Sequence, residues 1–472
     1  MRMITVLLLI ILAGCLNTTP PSWKTCSPRE DSTHLSDLDT LIFACNCSDA
    51  DGDSLTYTWL INGEIVSTEN TFTFTGEAGT YTVEVVVSDG DHQISRLWNV
   101  WVIESIDIEP LIQFIEEFRN LEFEEEPEWK YFTRQEHTQY FSDQLEYIRK
   151  ETEESGKFFT AIHVWNPEKD FFQECIKSSV GIGGMYSYKD KVFYEVIDPN
   201  MPLVYRRVVV LEELSHTLAN QYFDIDAATE DQWLAINVLI EGEGEFVKRE
   251  YIKTLPTEEF LIIQNYKPET AVEDIDPLLL AMLVYPYGFG ELFVGYLLDK
   301  GGWELVNEAY RNPPDSTEQV IHPEKFLMRE KPIPMSIPDI PGWNVLERDV
   351  LGEGFYSIIL RTYLPMDEVD RAVSGWGGDA YCLFERWDGS IMVLNTAWDT
   401  TRDAEEFLNS YLHFTQEWSN GYTVLEEDPG RMLLLAQNTF VLIVYSDIYV
   451  LVIESESEEN VRMAESIMEE QE

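Results

Sequence analysis

The hydrophobic pattern changes its period near residue 105, and one sheet or one bundle cannot accommodate both patterns. Before that point, short apolar or alternating runs recur at Leu41-Ile42-Phe43-Ala44, Leu55-Thr56-Tyr57-Thr58-Trp59, Thr71-Phe72-Thr73-Phe74 and Tyr81-Thr82-Val83-Glu84-Val85. Turn signals separate them at Asp51-Gly52-Asp53, Asn62-Gly63, Glu77-Ala78-Gly79 and Asp89-Gly90-Asp91. Regular spacing of strands and turns predicts a β-sandwich over residues 33–104. After it, helical spacing dominates, as in IEPLIQFIEEFRNLEF (108–123) and TRQEHTQYFSDQLEYIRKETEE (133–154). A chain of 472 residues is expected to hold two to four domains.

Residues 105–345 read as one mainly helical α+β domain. A strand-like patch is expected at 159–164 and a hairpin at 181–196. Helices are expected at about 204–222, 231–253, 275–285 and 289–300. Residues 277–298 are apolar but interrupted by Pro286, Gly288, Gly290 and Glu291, which suits buried helices with a turn better than a membrane span. Ser316 with Gln319 fits a capping box. Residues 346–472 read as a separate α+β domain: a helix near 366–374, strands at 380–386 and 390–396, a helix at 402–418, strands near 431–437 and 440–453, and a terminal acidic helix.

The first residues bear on location. Arg2 precedes the apolar run ITVLLLIIL (4–12), and Leu12-Ala13-Gly14-Cys15 follows. The run is shorter than the ~20 residues that cross a bilayer core, so residues 1–14 read as a cleaved signal. Residues 15–32, polar and proline-rich, read as a tether. Asp and Glu number 86 against 32 Lys and Arg, a net charge of -54. Such a surface repels nucleic acid and anionic headgroups and stays soluble. An exterior setting permits a disulfide from Cys26 to Cys45 or Cys47, while Cys175 and Cys382 stand apart.

Chemistry concentrates in Val208-Val209-Val210-Leu211-Glu212-Glu213-Leu214-Ser215-His216. On a helix, residues four apart share a face, so Glu212 and His216 point the same way and Glu213 lies beside them. A second helix carries Glu241 after eight mostly apolar residues, which places a carboxylate where it needs a partner. Gly242 and Gly244 are poor helix formers that would allow close helix approach.

Three resemblances rest on these residues. Leu12-Ala13-Gly14-Cys15 resembles a prokaryotic lipobox, which implies lipidation of Cys15 and anchoring at the outer face of the cytoplasmic membrane. SDADGDSLTYTWLING (48–63) and GTYTVEVVVSDGD (79–91) resemble PKD-type immunoglobulin-like domains, which implies a spacer or adhesion module. The acidic surface with these two features suits an archaeal surface protein. The blocks LEELSHTLANQYFDI (211–225), LIEGEG (239–244), 285–326 and SGWGGDAYCLFE (374–385) resemble secreted HExxH zinc metallopeptidases of the gluzincin pattern. That resemblance implies His216 and Glu241 as zinc ligands and Glu213 as general base acting on a peptide or protein substrate. The first motif histidine is replaced by Glu212, and a carboxylate can also bind zinc. Two carboxylates and one imidazole leave a less positive metal, which acidifies bound water less and admits manganese or iron. An active variant, a metal-binding remnant and a metal-free site all follow from this motif. The competing function is a catalytically inactive peptidase-fold protein acting in binding or adhesion.

Other residues carry weaker signals. His322 could polarise a substrate carbonyl or sit in a capped turn. Asp224 could orient His216 or end a helix. Tyr186 and Tyr194 could line a substrate strand or fill a core. Asp49, Asp51 and Asp53 could hold calcium or face water. His137, His163 and His413 stand in no motif. A di-iron bundle would need a second Glu-x-x-His, which the chain lacks.

Overall fold

The computed structural model describes residues 19–179, 183–187, 189–198, 200–267 and 275–470. The signal segment, Cys15 and Gly181-Ile182 lie outside them. The chain forms two compact units, residues 1–108 and 109–472.

The first unit is β-rich. Its strands are β1 (Ser22–Ser27), β2 (Ser32–Ser36), β3 (Leu41–Ser48), β4 (Thr56–Ile61), β5 (Glu64–Ser67), β6 (Thr71–Phe74), β7 (Gly79–Ser88) and β8 (Gln93–Ile103). They form two sheets, β1-β3-β6 and β2-β8-β7-β4-β5. Alternate side chains of both sheets, including Phe43, Phe74, Trp59, Val85 and Trp98, share one core. The buried indoles are satisfied: Trp59 donates to the Glu69 carbonyl at 2.9 Å and Trp98 to the Pro28 carbonyl at 3.0 Å. The expected tether, 15–32, is too long. Its residues 22–27 form an edge strand paired with β3, and the register brings Cys26 opposite Cys45, to which it is disulfide-bonded. Cys47 is free. The side chains of SWKTCS are mostly exposed, so no apolar alternation marks this strand. Asp49, Asp51 and Asp53 cluster in a turn, where Asp49 already accepts the Asp51 and Asp53 amides.

The second unit begins with α1 (Glu109–Arg119), β9 (Glu128–Thr133), α2 (Arg134–Tyr147), α3 (Arg149–Ala161) and α4 (Phe171–Ser178). The hairpin β10 (Gly184–Ser187) and β11 (Val192–Ile197) joins β9 in a sheet of order β10-β11-β9, so β10 is an edge. Then follow α5 (Leu203–Tyr222), α6 (Glu230–Ile252), α7 (Thr257–Asn265), α8 (Pro277–Arg311), α9 (Thr317–Ile321) and α10 (Pro323–Met328). The rest is β12 (Asn344–Asp349), α11 (Gly352–Leu360), α12 (Met366–Val373), β13 (Trp376–Arg386), β14 (Gly389–Trp398), α13 (Thr401–Ser419), β15 (Tyr422–Asp428), β16 (Arg431–Ala436), β17 (Thr439–Ser446), β18 (Tyr449–Ser455) and α14 (Glu458–Glu469). These last strands form an antiparallel sheet of order β12-β13-β14-β18-β17-β16-β15.

Several expectations change here. The boundary at 345/346 is not a spatial one: Leu239 and Phe293 from the helical region share a core with Tyr356, Trp376, Trp398 and Val441. Residues 159–161 continue α3 instead of forming a strand. The 440–453 stretch is a hairpin, turning at Asp447 with φ 52°. Strands β12 and β15 were not anticipated, because both are largely exposed and carry little apolar alternation. Ser316 makes no capping bond, so the expected capping box is absent; Gln319 instead accepts the Asp315 amide.

Helix α8 stays helical through Pro286 and Gly290, and its break comes later, at a kink at Gly302 (φ 63°). It is long and apolar enough to cross a membrane by length and composition. It packs against α6 through glycines: an ideal Cβ on Gly242 would stand 2.3 Å from the Gly290 carbonyl carbon. That backbone contact draws α6 and α8 together beside Glu241.

Candidate metal centre

Glu212, Glu213 and His216 all lie on α5, and Glu241 lies on α6, where it is next to Gly242. The two helices bring Glu212, His216 and Glu241 together, each with a ligand atom within 4.8 Å of the others. His216 Nε2 is 3.6 Å from Glu241 Oε2. Gly244 makes room for this: a Cβ there would meet His216 Cε1 at 3.0 Å and Glu212 Cγ at 3.2 Å. The donor set of two carboxylates and one imidazole fits a divalent cation by chemistry and by proximity.

Burial governs the charges. It opposes charge on His216, but the carboxylates of Glu241, Glu213 and Glu212 outweigh it and push the imidazole up to about 9. Burial works against the Glu241 carboxylate too, yet His216 and the Tyr287 hydroxyl hold it below its ordinary value. Burial raises the Glu212 carboxyl and pushes Glu213 up to about 8. Glu213 is therefore a buried acid–base group poised near neutrality. It packs against the edge strand β10, where a Cβ on Gly184 would stand 3.0 Å from its Cγ and Oε1.

Glu212 is not free. Lys248 Nζ lies 2.8 Å from its Oε2 and also bonds Glu245. This lysine was missed in the sequence. A signal for it was present, because residues 241, 245 and 248 fall on one stripe of α6. Also missed was a fully buried network behind the site. Arg119 Nε donates to Glu243 Oε1 at 2.5 Å, its Nη2 donates to Asn307 Oδ1 at 3.1 Å, and Ser215 donates to Glu243 Oε1 at 3.3 Å. Arg119 also stacks 4.1 Å over the Trp303 ring. Ser215 precedes His216, so the network braces α5 beside the donor set.

Two expected residues do not join. Asp224 is exposed beyond the end of α5 and makes no hydrogen bond to His216 among the described residues. An α5 ending at Tyr222 leaves it on the connection to α6 rather than over the ring. His322, between α9 and α10, pairs with the buried Glu353 on α11 at 3.1 Å. None of its partners belongs to the 212/216/241 group. Tyr186 is buried and donates to Asn220 at 3.0 Å, and Tyr194 stacks on Phe132 at 4.4 Å, so both serve the core. A further acidic group, Glu318, Glu330 and Asp399, is bridged by the Lys325 ammonium.

A cleft of about 810 Å³ lies elsewhere in this unit, lined by His163, Trp418, Tyr363 and Glu454 and by none of the three donors. His163 has φ 65°, stacks on Trp418 at 3.5 Å and bonds the buried Glu454 at 2.8 Å. Nothing in its sequence neighbourhood marks it.

Buried carboxyls also set the response to pH. Burial pushes Glu318 and Glu347 up to about 7. Folded, such groups hold protons that the unfolded chain has lost. Stability is therefore full below the ordinary carboxylate range and falls as pH rises through the raised values. Glu213 acts in the same sense up to about 8, and His216 acts likewise between its ordinary value and about 9. His137, pushed down to about 4 by burial, has the opposite sense but only below about 6.5. With chelator present, the melting temperature is expected to fall from pH 6.5 to pH 8.5. A melting temperature that rises across this interval in scanning calorimetry contradicts the assignment.

A family profile described as a domain of unknown function (DUF8575) matches residues 343–463, which hold the C-terminal sheet and not the donor set. No curated protein matches the chain. Among solved structures, a quinonprotein alcohol dehydrogenase-like protein from Bacteroides thetaiotaomicron is similar at 19% identity, over 18% of this chain and 20% of that one, with a TM-score of 0.16. The fibronectin(III)-like modules of Clostridium thermocellum CbhA are similar at 15% identity, over 18% of this chain and 47% of theirs, with a TM-score of 0.16. This chain thus spans about a fifth of the first and about half of the second. Neither likeness, at that score, assigns a fold.

Proposed function

We propose that this chain is a membrane-anchored extracellular metallopeptidase-like protein: a lipid on Cys15, a PKD-like immunoglobulin sandwich as spacer, and a gluzincin-like centre that hydrolyses peptide bonds. The observation that carries the catalytic part is the convergence of Glu212, His216 and Glu241 from two helices. These three residues would hold the metal, zinc or a harder ion such as manganese or iron. A bound divalent ion supplies Lewis acidity and lowers the pKa of coordinated water. Glu213 contributes a buried carboxyl that can take a proton from a nucleophilic water and return it to a leaving amine. The strand β10, packed on Glu213, is the end strand of its sheet, the kind of element along which an extended peptide adds.

Elemental analysis of the purified chain tests this reading. One divalent ion per chain is expected, lost in Glu241→Ala. Glu213→Gln is expected to keep the ion while peptidase activity falls by about 10²–10⁴-fold. A wild-type chain that retains no metal under saturating zinc ends the proposal.

A second reading has its own support. Lys248 already neutralises Glu212, as a site that has given up metal would require. The chain would then be a non-catalytic surface protein acting in binding or adhesion.

A further inference from the structure

The donor set is not symmetric. His216 and Glu241 face each other at 3.6 Å, whereas Glu212 Oε2 is engaged by the Lys248 ammonium at 2.8 Å. Lys248 lies on α6, on the same stripe as Glu241, and is itself held by Glu245 three residues back. Its side chain is only 19% exposed and that of Glu212 13%, so solvent screens the pair weakly. An imidazole at position 212 would bring no negative charge and need no such partner. A carboxylate there, near a second carboxylate on Glu241, makes an anionic pocket that an ammonium balances.

We propose that Lys248 is an internal cation that competes with a divalent ion for Glu212, and so sets how tightly the centre holds metal. This rests on the metal-centre reading above and deepens it. A divalent ion entering the pocket must share or displace Glu212 from the ammonium, and it meets a fixed positive charge beside it. His216 and Glu241 supply the rest of the binding, and the Lys248 charge is felt at Glu241 as well. The centre then holds metal less tightly than its three ligands alone would, and the Lys248 charge sets that difference.

The test is zinc affinity at pH 8, measured by competition with a chromophoric chelator on the folded full chain. Lys248→Met is expected to bind zinc at least 10-fold more tightly than wild type. Lys248→Arg, which keeps the positive charge, is expected to stay within about 3-fold of wild type. Lys248→Met leaves Glu212 and Glu245 adjacent and unpaired, so Lys248→Met with Glu245→Gln is made as well; it keeps the local charge balanced and is expected to show the same tightening. Circular dichroism establishes that each variant is folded. Wild-type zinc binding that Glu241→Ala abolishes, with no tightening in either methionine variant, overturns this inference and leaves the centre standing. Absence of zinc binding in every variant overturns the centre, and this inference with it.

Discussion

Arg119→Met is expected to destabilise the 109–472 unit by about 3–5 kcal/mol, because it leaves the Glu243 carboxylate buried with no countercharge. Both partners are essentially inaccessible to solvent, at 0% and 1% side-chain exposure. Arg119 donates to Glu243 and to Asn307 and covers the Trp303 ring, so one substitution empties three contacts. The loss is not the worth of the pair itself. Replacing both residues, Arg119→Met with Glu243→Leu, is expected to cost clearly less than Arg119→Met alone, since no uncompensated charge remains. Urea unfolding of the two single variants and the double variant measures this. A double variant as unstable as the sum of the singles would show that the charges are not coupled.

Gly242→Ala carries the second large effect, and its sign is the informative part. In an open helix position, alanine stabilises relative to glycine by about 1 kcal/mol. At residue 242 the added Cβ falls 2.3 Å from the carbonyl carbon and oxygen of Gly290 and 2.5 Å from its Cα. Those are backbone atoms and cannot swing away, so α6 and α8 must separate. Overpacking of this kind costs about 1–3 kcal/mol or more, and here it opposes the propensity gain. A clash with backbone puts the cost at the top of that range, and about 3 kcal/mol less the gain of about 1 leaves Gly242→Ala destabilised by about 2 kcal/mol. Gly288→Ala on the same α8 is the control. Nothing lies within 4 Å of its Cβ, so it is expected to be neutral or stabilising by up to about 1 kcal/mol. Denaturant midpoints decide the matter. A stabilising Gly242→Ala would mean that the helices do not touch through these glycines. Because Glu241 adjoins Gly242, zinc affinity is expected to weaken in the same variant.

Much of the local structure was readable before any tertiary information. Period-2 alternation located β3, β4, β6 and β7, and period-3.6 spacing located α5, α6, α12, α13 and α14, whereas α11 went unforeseen. The i, i+4 rule placed Glu212 and His216 on one face, and the apolar run before Glu241 marked a carboxylate in need of a partner. Exposed strands such as β1, β12 and β15 escaped this reading, since their pairing rests on backbone hydrogen bonds that leave no apolar signature. The helix break expected near Pro286 falls at Gly302 instead, and α8 stays helical through the proline in the stretch where Gly290 packs on α6.

The sequence by itself determined the longer helices, α5, α6 and α13 among them, and which of their side chains share a face, because those relations depend only on backbone periodicity over a few residues. Only the tertiary structure decided that Cys26 meets Cys45, that His322 turns to Glu353 and Asp224 to solvent, and that the helical region shares its core with the C-terminal sheet. The same holds for Lys248 beside Glu212 and Arg119 beside Glu243. Those pairings depend on how whole elements cross and in what register, and a close approach such as Gly242 on Gly290 sets that geometry for every residue around it.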